Sequence, residues 1–166
     1  EHTVTRLNDG RLLIVGGRST STNNLDSSEI YNPSTNAWSV TRNLNVARRE
    51  HTATLLSDGK VLVAGGRGAS GVLSSSEVYD PSTGLWTLVG SMGSPRVNHE
   101  ATLLPNNKVL VSGGFNGTAT YYNSSQLFDP ATNTWSLSDR YMSSSRRFHS
   151  SILLPNDKVL VVGGDN

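Results

Sequence analysis

One step length runs through the whole chain. Double glycines fall at Gly16-Gly17, Gly65-Gly66, Gly113-Gly114 and Gly163-Gly164, separated by 49, 48 and 50 residues. The four histidines, His2, His51, His99 and His149, keep the same intervals, and Trp38, Trp86 and Trp135 follow at 48 and 49. Tyr31-Asn32-Pro33, Tyr79-Asp80-Pro81 and Phe128-Asp129-Pro130 mark the same beat, each preceded by Glu29, Glu77 or Gln126. A repeat of this length means one supersecondary unit stacked on copies of itself.

The second unit shows what is repeated. His51–Leu56 alternates like a strand, Asp58-Gly59 supplies a hairpin turn, and Val61–Ala64 is apolar on both faces, as in a strand covered on both sides. Ser76–Tyr79 is a third strand, Asp80–Gly84 a proline turn, and Leu85–Val89 a fourth strand. No segment carries a 3.6-residue apolar period long enough for a helix, so the class is all-β. Four-stranded meanders at this step bury both faces by stacking around an axis, which is the propeller solution. The units span about 2–47, 51–95 and 99–145, with half a unit at 149–166.

Glycine in a strand costs about 0.5–1 kcal/mol relative to alanine. Eight such glycines therefore need a reason, either positive φ or a ring pressed on bare backbone. Trp38, Trp86 and Trp135 are the natural rings, with Tyr31, Tyr79 and Phe128 beside them in the third strands.

At Gly65-Gly66, Tyr79 and Trp86, and at their counterparts in the other units, the sequence resembles the kelch repeat. That resemblance implies a kelch-type β-propeller of four-stranded antiparallel blades, about three and a half of them here. Kelch propellers usually have six or seven, so the remaining blades are expected from the same longer chain or from other copies. The start at Glu1, without Met or signal peptide, reads as a mature or excised segment.

Composition narrows the function. A net charge of +1 gives no global basic field, so nucleic acid is not an expected partner. Charged residues are only 16%, too few for a coiled coil or a charge-expanded disordered chain. The absence of cysteine removes disulfides, cysteine-ligated zinc and cysteine nucleophiles. No apolar run approaches the ~18 residues of a membrane span.

Binding is expected on the face carrying the variable loops, 18–26, 67–75 and 115–123 after the glycine doublets and the connections between blades. Nine of the eleven arginines lie there, among them Arg18 and Arg67. Arg48, Arg96 and Arg146 each stand three residues before a histidine, where they would ring the mouth of the channel if the first strands line it. Some kelch propellers resembling this one hold acidic peptides with arginines at that place. The competing expectation is that each arginine pairs locally with a carboxylate such as Glu77 and serves the frame. Phe115, Tyr121 and Tyr122 make one loop aromatic and suited to sugar or protein contact. Asn116-Gly-Thr118 and Asn123-Ser-Ser125 fit the N-glycosylation pattern. One histidine per blade, with no pair at short spacing, reads as structural, so no metal and no cofactor is expected.

The leading reading is a non-catalytic scaffold for protein or glycan partners, with acidic groups favoured. Two alternatives stand beside it. One is part of a propeller enzyme resembling galactose oxidase, with its catalytic residues outside this segment; the other is a structural repeat in an extracellular fibre or surface assembly. The Ser-, Thr- and Asn-rich surface, the scarcity of lysine and the acceptor triplets suggest an extracellular or cell-surface setting.

Overall fold

A computed structural model of the chain describes residues 1–19 and 23–166. Residues 20–22 of the first variable loop lie outside the described residues. Three four-stranded antiparallel sheets follow one another. The first contains β1 (Thr3–Arg6), β2 (Leu12–Val15), β3 (Ser28–Asn32) and β4 (Ala37–Val40). In the second, β5 (Thr52–Leu55) and β6 (Val61–Ala64) are followed by a two-stranded hairpin, β7 (Arg67–Gly68) and β8 (Gly71–Val72), and then by β9 (Ser76–Asp80) and β10 (Leu85–Val89). The third is β11 (Glu100–Leu103), β12 (Val109–Ser112), β13 (Ser124–Asp129) and β14 (Thr134–Tyr141). A two-stranded sheet, β15 (Arg147–Leu153) and β16 (Val159–Asp165), ends the chain.

Turn chemistry explains why each meander folds back where it does. The turn between first and second strands needs one left-handed residue, and Gly10, Gly59, Asn107 and Asp157 supply it with φ of 87°, 85°, 65° and 63°. The turn between third and fourth strands uses Asn36, Gly84 and Asn133 in the same way. Only glycine and short polar side chains occupy these positions.

The first strands pack beside one another in chain order, β1 on β5, β5 on β11 and β11 on β15, and form the inner wall around the axis. Each blade then presses its tryptophan-bearing face on the back of the blade before it. Leu13, Val15 and Ile30 of the first blade are buried with Val61, Val63, Tyr79 and Trp86 of the second. Leu62 and Val78 of the second are buried with Val109 and Phe128 of the third, and Trp135 packs against that cluster. This explains the difference between β6, buried at every position, and β2, buried at alternate ones: the second blade is covered on both faces, the first on one.

The indoles also lock these contacts. Trp86 Nε1–H donates to Ser28 Oγ at 3.0 Å and Trp135 Nε1–H to Ser76 Oγ at 2.9 Å, each reaching the third strand of the preceding blade. Within a blade the rings pair at about 5 Å, Tyr31 with Trp38, Tyr79 with Trp86 and Phe128 with Trp135. Trp38 differs from the expectation that every indole is packed away. It is 59% exposed, because no blade in this chain lies on its face.

The rings facing the glycine doublets are also not the expected ones. They are imidazoles. A Cβ on Gly16, Gly65 or Gly113 would lie 2.9, 2.7 or 2.6 Å from Cε1 of His51, His99 or His149 in the next blade. The same Cβ would meet the carbonyl of Arg48, Arg96 or Arg146. The second glycine, Gly17, Gly66 or Gly114, donates its N–H to that arginine carbonyl at 2.8–2.9 Å. All of these glycines have positive φ, and so do Gly163 and Gly164. The doublet is thus a bare-backbone seat for the Arg-x-x-His segment of the following blade.

Candidate functional site

The arginines thought to ring the channel mouth are turned into the frame. Arg48 and Arg96 are 0% and 1% exposed. Arg48 donates to the carbonyls of Gly65 and Ser75 and to Ser75 Oγ, and its Nη2 meets Glu77 Oε1 at 2.9 Å. Glu77, 0% exposed, also accepts from the N–H groups of Asn45 and Val46. Arg96 donates to the carbonyls of Gly113 and Ser124 and to the hydroxyls of Ser94 and Ser124. Arg146, half-buried, donates to the Gly163 carbonyl at 2.6 Å. A guanidinium has five N–H groups in a fixed fork. These forks fasten the segment before each later inner strand to the glycine doublet of its own blade and, for Arg48 and Arg96, to the start of the third strand as well, leaving no surface of Arg48 or Arg96 for a ligand.

The acid that balances Arg48 is missing beside Arg96. Gln126 stands where Glu77 stands one blade earlier, and it bonds the Gly93 N–H and Ser94 Oγ instead. Arg96 lies over the Tyr122 ring at 4.3 Å. Burial without a carboxylate pushes the Arg96 guanidinium down to about 10. The histidines share this dry layer. Burial, reinforced by the neighbouring Arg48 or Arg96, pushes His51 and His99 down to about 3, and His149 is lowered by burial and by Arg146.

The other expected contacts of the loop face are largely internal as well. Arg18 pairs with Glu1 at 3.0 Å, Arg67 with Glu50 at 3.6 Å, and Arg147 with Asp165 at 2.9 Å. Among the described residues, the side chains of Arg42 and Arg140 have no hydrogen bond or ion pair, and that of Arg146 meets only the Gly163 carbonyl. Five of the nine, Arg18, Arg48, Arg49, Arg67 and Arg147, are thus paired with carboxylates, which reduces the expected cationic surface without removing it. Phe115 and Tyr121 stack at 4.7 Å, and with Phe148 they surround the Arg147 guanidinium at 5.0–5.2 Å. Tyr122 lies under Arg96 rather than beside them. Asn116 Oδ1 accepts from the N–H groups of Thr118, Ala119 and Thr120, while Asn123 is exposed.

A different set of residues stands at the head of the inner strands. Glu50, Asn98 and Phe148, each two residues after a frame arginine, adopt left-handed φ of 54°, 55° and 54°. That conformation is uncommon outside glycine, and a bulky Phe adopts it only where its surroundings impose it. Here the frame imposes it, since Glu50 N–H donates to Glu1 O and Phe148 N–H to Asn98 O at 3.0 Å. Below them lies a hollow of about 320 Å³ between the inner strands, lined by Thr3, Thr52, His99 and Glu100 with Glu50 and Asn98 at its rim. Asn98 and Phe148 close two of the connections between blades where binding is expected, and with Glu50 they change chemistry from unit to unit, unlike the regular arginines. The usable signal was that very change: one charged, one amide and one aromatic residue at a single step of an otherwise regular repeat.

The sequence model of the KLHDC2/KLHL20/DRC7 Kelch-repeats domain matches residues 1–164. The chain belongs to the kelch-repeat family. No curated protein sequence matches it. Its kelch blades carry the glycine doublet after the second strand, an aromatic residue in the third and tryptophan in the fourth. Kelch membership therefore accounts for the beat of the frame, and the residues off that beat distinguish this chain.

Proposed function

We propose that this kelch segment is a non-catalytic scaffold that binds a protein partner at the axial mouth of its loop face. One observation carries the reading: Glu50, Asn98 and Phe148 occupy a single repeat position, are held in the same strained conformation, and differ completely in chemistry. A frame needs the same residue at each step; a binding surface needs different ones. Phe148, 61% exposed, offers the apolar anchor and the polar pair offers selectivity. The carbohydrate reading has less behind it, because Phe115 and Tyr121 enclose Arg147 instead of leaving an open platform. The oxidase and fibre readings gain nothing from the described residues.

The test is site-specific photocrosslinking. A photoreactive phenylalanine at position 148 should capture a discrete protein partner, whereas the same probe at Asp9, on the opposite face, should not. Capture only from position 9 would sink the reading. An extracellular setting is part of the proposal, and a mobility shift on glycosidase treatment, lost in Asn123→Gln, would support it.

A further inference from the structure

The frame has a rule linking each inner strand to the next histidine, and the third blade breaks it. Thr3 Oγ1 is hydrogen-bonded to His51 Nε2 at 2.9 Å, and Thr52 Oγ1 to His99 Nε2 at 3.0 Å. The next residue on this step is Glu100, and the partner of His149 is instead Ser112, at 3.2 Å, from the second strand. Ser112 stands where the earlier blades have Val15 and Ala64, and it is the register partner of Glu100 across β11 and β12. The hydroxyl that serves the histidine has therefore moved one strand outward. Position 100 is released from the frame and carries a carboxylate.

That carboxylate lines the axial hollow and has no side-chain partner among the described residues; only the adjoining Ala101 N–H favours its charged form. Partial burial outweighs that contact and raises its pKa, which marks a charge with too little solvation. Glu50 at the rim is already paired with Arg67. Arg48 and Arg96, the nearby cations, are turned away into the frame. The hollow therefore holds one uncompensated negative charge. The side chain of Asn98 at its rim is also unpartnered among the described residues, and its amide oxygen can accept a hydrogen bond.

We infer that the axial hollow receives a cationic side chain, lysine or arginine, from the protein partner, and that Glu100 is its counter-charge. This rests on the axial-mouth reading above and gives it the sign of the ligand, opposite to the acidic partner that the arginine count suggests. Asn98 adds a second acceptor for the same group.

Fluorescence anisotropy with two labelled hexapeptides tests it, one with two central lysines and one with two central glutamates between glycines. The protein should prefer the lysine peptide by roughly tenfold or more, the scale of a charge-assisted hydrogen bond. Glu100→Thr, which restores the residue type of the first two blades, should abolish the preference without lowering the unfolding midpoint. Glu100→Gln gives the same test with the side-chain volume kept. A preference that survives both changes, a tighter glutamate peptide, or no binding of the lysine peptide overturns the inference. The axial-mouth reading fails separately: partner capture at position 148 without lysine preference leaves the scaffold standing and removes only the cation.

Discussion

Arg48 and Glu77 meet at 2.9 Å with neither side chain exposed to solvent. A buried pair contributes little net stability over an apolar replacement, but removing one partner leaves a charge stranded. Glu77→Gln should cost about 3–5 kcal/mol in a denaturant titration. The third blade offers the converse, since Arg96 has Gln126 where the acid would be. Gln126→Glu should stabilise the protein by roughly 1–2 kcal/mol, provided Ser94 Oγ turns to donate to the new carboxylate. A loss on Gln126→Glu would mean that Tyr122 and the serines already balance Arg96.

The glycine doublets separate backbone strain from contact. Gly65 has φ of 62° and its added Cβ would lie 2.6 Å from the Arg96 carbonyl, whereas Gly163, φ 73°, has nothing within 4 Å. Gly163→Ala should cost only the left-handed penalty, about 1–2 kcal/mol. Gly65→Ala should cost several times as much, because backbone and imidazole must both move. Thermal unfolding of the two variants makes the comparison, and equal losses would remove the seat for the Arg-x-x-His segment.

Tryptophan burial differs between blades in the same manner. Trp86 is 8% exposed and hydrogen-bonded to Ser28. Trp86→Ala should destabilise by about 3–5 kcal/mol. Trp38→Ala, at 59% exposure, should change stability by less than about 1 kcal/mol. Chemical denaturation of this chain reads both.

Much of this was legible in the amino-acid order, and the reason is physical. A stacked array needs identical contacts at each interface, so Gly65, Trp86 and Tyr79 reappear at one step and declare the blades. The direction in which a side chain points leaves no such mark. Arg48 and Arg96 read equally well as a rim or as a frame until their partners, Ser75, Glu77 and Ser124, are in place. Their regular beat was the better guide, since groups that keep the period belong to the repeated interface. Glu50, Asn98, Glu100 and Phe148 break the period; the first three line the axial hollow, and Phe148 stands at the same step as Glu50 and Asn98. Imidazole against glycine was hidden for another reason: histidine and doublet lie in neighbouring blades, so no local pattern joins them.

Stability should fall on mild acidification. His51 and His99 have folded pKa values near 3, below the ordinary 6.5, so the native state holds them neutral while the unfolded chain takes up protons. Their contribution is complete above about pH 6.5 and is lost as pH falls towards 3, at about 1.4 kcal/mol per pH unit for each group. Urea midpoints between pH 7.5 and 4.5 should drop with a slope that lessens in His99→Gln. A flat profile over that range would show that the imidazoles are hydrated.

The most direct test of the frame compares two arginines on the same face. Arg48→Ala removes a buried fork that ties the second blade together, and unfolding should show a loss of at least about 3 kcal/mol. Arg67→Ala removes a partly exposed ion pair with Glu50 and should change stability by less than about 1 kcal/mol. If Arg48→Ala unfolds no more easily than Arg67→Ala and instead loses a bound partner, the arginines form the binding surface and their role as frame is contradicted.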